Sequence, residues 1–292
     1  IGTSGTVLRD GKFIVTINDI KKISIEEIIT YIVGRPLNQI YPPRHAEIGN
    51  VLLEVKNLSV PGLVHHVSFQ VRRGEVLGFS GLVGAGRTET AKAVFGDLKK
   101  SEGTIFKEGD KLSIKSPKDA IRCGISLLTE NRKEEGLFLE KSVSWNVVSA
   151  SLDTIKSHGF LNFRKERNLV KDYVKALGIK VANVERPVKY LSGGNQQKVV
   201  FAKWLNAGSQ IYIFDEPTRG IDVGAKSEIY GIINQLAEQG KAVIVISSEL
   251  PEILGICDRI AIFHEGKLVK ELDRQDADQE KIMYYAIGGR DK

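Results

Sequence analysis

Three short stretches of this chain place residue types at spacings that suit chemistry on phosphate groups. The first, GLVGAGRT, runs from Gly81 to Thr88 and follows the frame GxxxxGK[ST] everywhere except at the lysine. Gly81, Gly84 and Gly86, with Leu82, Val83 and Ala85 between them, let the backbone curl so that successive N–H groups face one centre. A helix expected to open near Thr88 adds its positive end, and the Thr88 hydroxyl stands where it can ligate Mg2+. Arg87 takes the lysine position. Its guanidinium keeps the charge, but it is planar and longer than an ammonium and cannot approach β- and γ-phosphates in the same way. Glu89 brings a carboxylate towards any polyphosphate held there, a repulsion of about 3 kcal/mol at ~4–6 Å in a medium of dielectric near 20.

The second stretch, IYIFDE, ends four apolar residues in Asp215 and Glu216. A buried strand with two carboxylates at its tip suits one metal ligand and one base. Asp215 would hold Mg2+ through water, and Glu216 would orient and deprotonate an attacking water. The third, LSGGNQQKVVFAKWL (Leu191–Leu205), sets Ser192, Gly193 and Gly194 ahead of an amphipathic helix. A plain helix cap would need Ser192 alone, and the paired glycines weaken the helix they open. The stretch therefore reads as a second anion-binding helix end. One nucleotide rarely needs both, so this end is expected to cap a γ-phosphate bound by a different unit of the same kind.

Strands and helices must position these groups. VLLEVKNLSV and VHHVSFQV alternate apolar and polar residues, whereas EVLGFSG (Glu75–Gly81), GISLLTE (Gly124–Glu130), QIYIFDE (Gln210–Glu216) and KAVIVISSE (Lys241–Glu249) read as buried strands. TETAKAVFG and KSEIYGIINQLAEQG read as helices between them. The alternation predicts an α/β fold, a parallel sheet covered on both faces. Leu139 to about Tyr190 reads as mostly helical with polar loops such as SHGFLNFRKERN, an inserted subdomain.

Composition narrows the class. With 42% hydrophobic and 27% charged residues, the 292-residue chain has the balance of a soluble globular protein. No apolar run approaches the ~18 residues of a membrane span, and the first residues lack the regions of a signal peptide. Cys123 and Cys257 stand far apart, which suggests neither a disulfide framework nor a zinc site and fits a reducing compartment. The net charge of +6 is spread without a run of five like charges, so it reads as a solvated surface and predicts no nucleic-acid partner.

LSGGNQQK resembles the signature motif of ATP-binding cassette ATPases, in the form typical of bacterial monosaccharide importers. DEPTRGIDVGAKSEIY (Asp215–Tyr230) and VISSELPEILGICDRIAIFHEGKL (Val245–Leu268) are similar to the second cassette of those proteins, and PGLVHHVSF and SPKDAIRCGI look most like the ribose type. The resemblance runs from about Val51 to Gly289. It implies a P-loop ATPase fold with an antiparallel β subdomain, an inserted helical subdomain at about 131–200, and ATP with Mg2+ as ligands. Gly81–Thr88 would be the Walker A loop, with Glu89 beside it, and Asp215 and Glu216 the Walker B pair. Leu191, Ser192, Gly193, Gly194, Asn195 and Gln196 would form the signature, and Asp222 the D-loop acid that crosses the dimer interface. Departures accompany these matches. Glu130 stands where a glutamine normally contacts Mg2+, Ser248 stands where a histidine contacts the γ-phosphate, and no clear aromatic offers to stack on adenine.

The expected role is the second nucleotide-binding half of an ATPase subunit that drives sugar import at the cytoplasmic face of the cell membrane. Its partners would be the first cassette of the same polypeptide, paired head to tail, the membrane permease subunits and an extracellular or periplasmic sugar-binding protein. A weak internal repeat agrees. RDGKFIV and EEIITYIVGR near the start match HEGKLVK and EKIMYYAIGG near the end, at a spacing close to one cassette's length. Residues 1–49 are thus expected to be the tail of a preceding cassette plus a linker, and 50–292 a nucleotide-binding domain. The altered pocket predicts weak turnover by the chain alone. Two other classes fit less well: a module that binds nucleotide without turnover, and a soluble cassette acting on DNA or ribosomes. The segment ENRKEEGLFLEKSVSWN, with Leu137, Phe138 and Leu139, is expected to line a groove for the permease.

Overall fold

The computed structural model describes residues 3–9, 12–24, 27–28, 30–31, 41–157 and 159–290. Near the start, β1 (Gly5–Arg9) and β2 (Lys12–Ile17) form an antiparallel hairpin. The repeat segment EEIITYIVGR (26–35) that follows lies largely outside the described residues.

Strands β3 (Val51–Val60) and β4 (Val64–Arg72) pair antiparallel, and β4 alternates buried and exposed residues as a sheet with one wet face must. β5 (Val76–Gly81) is buried almost throughout and runs into the helix α1 (Arg87–Phe95). β6 (Glu102–Lys107) and β7 (Asp110–Leu112) complete a four-stranded antiparallel sheet in the order β4-β3-β6-β7. After the short helix α2 (Pro117–Arg122) come β8 (Ile125–Leu128), a π-turn at Arg132–Gly136 and α3 (Val143–Val148).

The stretch expected to be mostly helical is more varied. A small hairpin, β9 (Lys156–Ser157) with β10 (Phe160–Leu161), interrupts it, and FRKERN opens the helix α4 (Phe163–Ala176) instead of a loop. Asn162 explains the change: its side chain accepts from the N–H groups of Arg164 and Lys165 and so starts the helix. The signature residues then open α5 (Gly193–Asn206).

β11 (Ile211–Asp215), α6 (Val223–Glu238), β12 (Ala242–Ile246), α7 (Leu250–Ile256), β13 (Arg259–His264), β14 (Lys267–Asp273) and α8 (Gln279–Ala286) finish the chain. The principal sheet has the order β14-β13-β5-β12-β11-β8. All neighbours are parallel except β14, which returns antiparallel as an edge, so the sheet is mixed and not wholly parallel. β11 and β12 are buried along their whole length, as strands covered on both faces are. Rings of Phe79, Phe263, Phe201 and Phe214 fill the core beside them. The register levels the carboxyl ends of the central strands, with Asp215 opposite Ile246 and Ile246 opposite Phe79. Open α/β sheets bind ligands at such an edge.

The segment expected to be a linker is docked. Tyr41 stacks on Tyr230 at 5.2 Å, Asn234 donates to the Pro42 carbonyl at 2.7 Å, and Arg44 donates to the Ile256 carbonyl and pairs with Asp258. Residues 41–50 thus run as a strap across α6 and α7. No helix among the described residues is long and apolar enough to cross a membrane.

Candidate functional site

Four strand exits share the edge. β5 delivers the glycine loop, β11 delivers Asp215 and Glu216, β12 delivers Ser247 and Ser248, and β8 leads to Glu130. Gly81, Gly84 and Gly86 all have positive φ, and Gly86 is hemmed in as well. A Cβ on it would lie 2.9 Å from Gly266 Cα and 3.1 Å from the Leu63 carbonyl oxygen. The loop is thereby wound tightly, with Thr90 Oγ1 donating to the Gly86 carbonyl at 2.7 Å. α1 begins at Arg87, one residue before the predicted start, and Leu82 and Val83 stand exposed on the loop's outer side.

Arg87 is buried, and its Nη1 donates to the Ser247 carbonyl at 2.9 Å. Burial lowers its pKa, against the opposing pull of Glu216, Asp215 and Glu89. The guanidinium thereby ties this loop to the neighbouring strand exit.

Asp215 is almost fully buried, and burial pushes its carboxyl up to about 6, although the Thr88 hydroxyl donates to it. Its Oδ1 is enclosed and has no hydrogen-bond partner. A buried carboxylate oxygen left bare beside a hydroxyl fits a Mg2+ site. That cation keeps water and phosphate ligands and needs only one or two from protein. Glu216 sits at φ 47°, a strained backbone for a non-glycine residue that aims its side chain out of the strand line. Burial raises its pKa, while the Ser248 hydroxyl and N–H, both donating to the carboxylate, pull it back down.

The residues expected to form the signature gather in a second cluster with the segment that ends at Asp222. Ser192 precedes α5 but makes no side-chain cap, so its hydroxyl is left at the open helix end, accepting from Asn195 Nδ2 at 2.9 Å. Asn195 Oδ1 accepts from the Lys180 N–H, and Gln196 is buried beneath. Leu191 is half-buried. Arg132 packs beside Gly193, where a Cβ would come within 2.8 Å of Nη2, and its Nη1 donates to the Arg219 carbonyl at 2.8 Å. Asp222 caps α6 by accepting from the Ala225 N–H at 3.0 Å.

Glu130 is paired with Arg219. The pair ties Glu130 to the segment that ends at Asp222. Of the apolar trio, Leu137 is buried, Leu139 half-buried, and Phe138 is 55% exposed with Trp145 against it at 5.4 Å. The expected groove therefore rests on Phe138 and Trp145, with Leu161 and Phe163 also exposed nearby in the helical region. Sequence reasoning passed over Thr218, Arg219, Ser247 and Glu252. The acid two residues past Leu250 in ISSELPE was the available signal for the last.

A glycine loop on a helix end, a hydroxyl bonded to a buried carboxylate with one bare oxygen, and a second acid beside it define a P-loop nucleotide-binding fold. The particular family follows: the ABC transporter model matches residues 64–219, just over half of the chain, and the chain belongs to that family. It is 49% identical over 284 residues to the ribose import ATP-binding protein RbsA of Geobacillus kaustophilus, covering 97% of this chain and 57% of that protein. It is 51% identical over 285 residues to a putative ribose/galactose/methyl galactoside import ATP-binding protein of Burkholderia cenocepacia, covering 97% and 55%. The chain thus spans little more than half the length of these relatives. Among solved structures, a nucleotide-free ATP-binding cassette from an ABC transporter aligns with a TM-score of 0.68 at 20% identity, over 82% of this chain and 99% of the other. A Clostridium perfringens cassette that is part of an ABC transporter complex aligns at 0.65 and 21%, over 82% and 94%. At such identities these two establish the fold alone.

Proposed function

We propose that this chain is the second ATP-binding cassette of an ATPase subunit that powers import of a monosaccharide, ribose being the first choice. The observation that carries the reading is the Thr88–Asp215 pair with its bare Oδ1 at the mouth of the glycine loop. The names of the relatives, which are about 47–51% identical, favour sugar import. Residues 50–292 are the nucleotide-binding domain, with the helical subdomain at about 131–200. Residues 1–49 are the tail of a preceding cassette and its linker. The β1–β2 hairpin, which mirrors the β13–β14 hairpin, supports that reading.

The loop N–H groups and the end of α1 would hold the β- and γ-phosphates, with Arg87 adding charge from below. Mg2+, held by Thr88 and Asp215, would neutralise charge on the phosphates. Glu216, its pKa raised by burial, would accept the proton of the attacking water, a role worth about 10²–10⁴ in rate. Ser248 can hold Glu216 in place but cannot take a charge as a histidine can. Together with Arg87 and Glu130, it makes this chain's own site a slow one. Ser192, Gly193 and Gly194 are intact and would complete the ATP site of the first cassette, across a head-to-tail interface that includes Asp222. Phe138 and Trp145 would meet the permease on the cytoplasmic face of the membrane, with a sugar-binding protein on the other side.

Calorimetric titration with ATP, with and without Mg2+, tests the reading. We expect weak, Mg2+-dependent binding. Sub-micromolar affinity would contradict the damage assigned to Arg87 and Glu89, and absence of binding would overturn the reading as a whole.

A further inference from the structure

Glu252 lies in the first turn of α7, only 1% exposed, and the chemistry above makes no use of it. A carboxylate that deep must have both oxygens satisfied or be neutral. Both are engaged. Oε1 accepts from the Thr218 hydroxyl at 3.0 Å, and Oε2 accepts from the Ser247 hydroxyl. The Tyr230 hydroxyl joins the same group, and Tyr41 packs against the Tyr230 ring.

What matters is what the two hydroxyls belong to. Ser247 is the residue whose carbonyl receives the Arg87 guanidinium, and the next residue, Ser248, holds the Glu216 carboxylate. Thr218 is two residues past Glu216, in the turn that leaves β11. The preceding carbonyl, on Pro217, accepts from Gln197 of α5 at 2.8 Å. One side chain therefore clamps the exits of β11 and β12 together, and each exit holds a group of the phosphate site. Nothing about simple packing asks for an acid here. A leucine would fill the space without the cost of burying a charge.

We propose that Glu252 is a positioning residue for nucleotide binding: through Ser247 it seats Arg87 and Ser248, and through Thr218 it fixes the turn that carries Glu216. The role rests on the nucleotide-binding reading above. It is distinct from a general contribution to stability, because its effect on affinity passes through one named side chain, Arg87.

The test is a double-mutant cycle on this chain, read as the dissociation constant for Mg-ATP by calorimetry, with thermal melting as a check on folding. Glu252→Ala should weaken binding about tenfold, within the range of coupling between groups in one hydrogen-bond network. Glu252→Gln should stay within about twofold, since the amide can accept from Ser247 and donate to Thr218. In an Arg87→Ala background, Glu252→Ala should cause no further loss. If Glu252→Ala does not fold, Ser247→Ala replaces it in the same cycle, because it cuts the link while leaving the carboxylate bound to Thr218. Losses that multiply independently of Arg87, or an Ala variant that binds as the unmodified chain does, overturn the positioning role alone. Failure of the unmodified chain to bind Mg-ATP would instead overturn the functional reading beneath it.

Discussion

Replacing Lys203 with methionine should change how the stability of the chain depends on pH. Lys203 is buried on α5, the helix that the signature residues open, and its ammonium donates to the Gly136 carbonyl at 2.6 Å while lying 4.8 Å from the Trp204 ring. Burial lowers its pKa from the ordinary lysine value of 10.5 to about 8. The folded value is below the unfolded one, so the sign is that of a buried cation. The cost of holding the charge is fully present below about pH 8 and fades as pH rises towards 10.5. Between pH 7 and 9.5 that linkage amounts to about 2 kcal/mol, at 1.36 kcal/mol for each unit over which only the unfolded chain stays protonated. The two side chains have similar volume, so packing on Trp204 survives the exchange. Urea denaturation of both proteins at the two pH values isolates the difference, because tyrosines and other lysines titrate alike in each. The unmodified chain should gain about 2 kcal/mol relative to Lys203→Met on going to pH 9.5. Parallel curves would refute a buried, charged Lys203 and with it the hydrogen bond that ties α5 to the Arg132–Gly136 turn.

Three further outcomes follow from the same geometry. Asp215→Asn should erase the enhancement of ATP binding by Mg2+ without weakening the metal-free affinity, since it also removes a negative charge facing the phosphates. Calorimetry with and without the cation would show it, and a persisting enhancement would move the site elsewhere. Tyr41→Ala should cost about 1 kcal/mol of stability, the worth of the lost Tyr230 stack beyond its area, and should make the strap more susceptible to protease; an unchanged melting curve would mean that the strap is not held there. Gly193→Ala should cost stability only so far as the new methyl pushes the Arg132 guanidinium off the Arg219 and Gly220 carbonyls, and Arg132→Ala should remove that penalty. Equal penalties in both backgrounds would show that the two residues are not coupled.

Much of this could be read in the residues because local chemistry dictates it. The phosphate loop, the strand ending in Asp215 and the helix after Ser192 each announce themselves by glycines, buried runs and caps within a few positions. Where the reading went astray, the deciding partner was distant or the signal small. FRKERN looked like a polar loop, yet Asn162 caps it as the start of a helix, and Leu137, expected to line a groove, has its side chain buried. Nothing in the paired prolines of the expected linker predicts that Tyr41 packs on Tyr230 or that Arg44 reaches Asp258, both far along the chain. The clamp made by Glu252 was invisible for the same reason. Each of its partners is an ordinary serine, threonine or tyrosine, and only the folded sheet brings them round one carboxylate.

We infer that the chain's signature is whole while its own catalytic site is impaired. The most direct measurement compares two variants in the tandem protein: ATPase and transport of Gly193→Asp against those of Glu216→Gln, each first shown to fold by its melting curve. Gly193→Asp sets a carboxylate at the helix end that should face the other cassette's γ-phosphate, where anion-stabilising dipoles are needed, and should abolish most of both activities. Glu216→Gln removes the base of the weaker site and should leave substantial activity, and this chain alone should hydrolyse ATP slowly or not at all. A Glu216→Gln protein more damaged than Gly193→Asp, or a chain that alone turns over as fast as the tandem protein, would contradict the account.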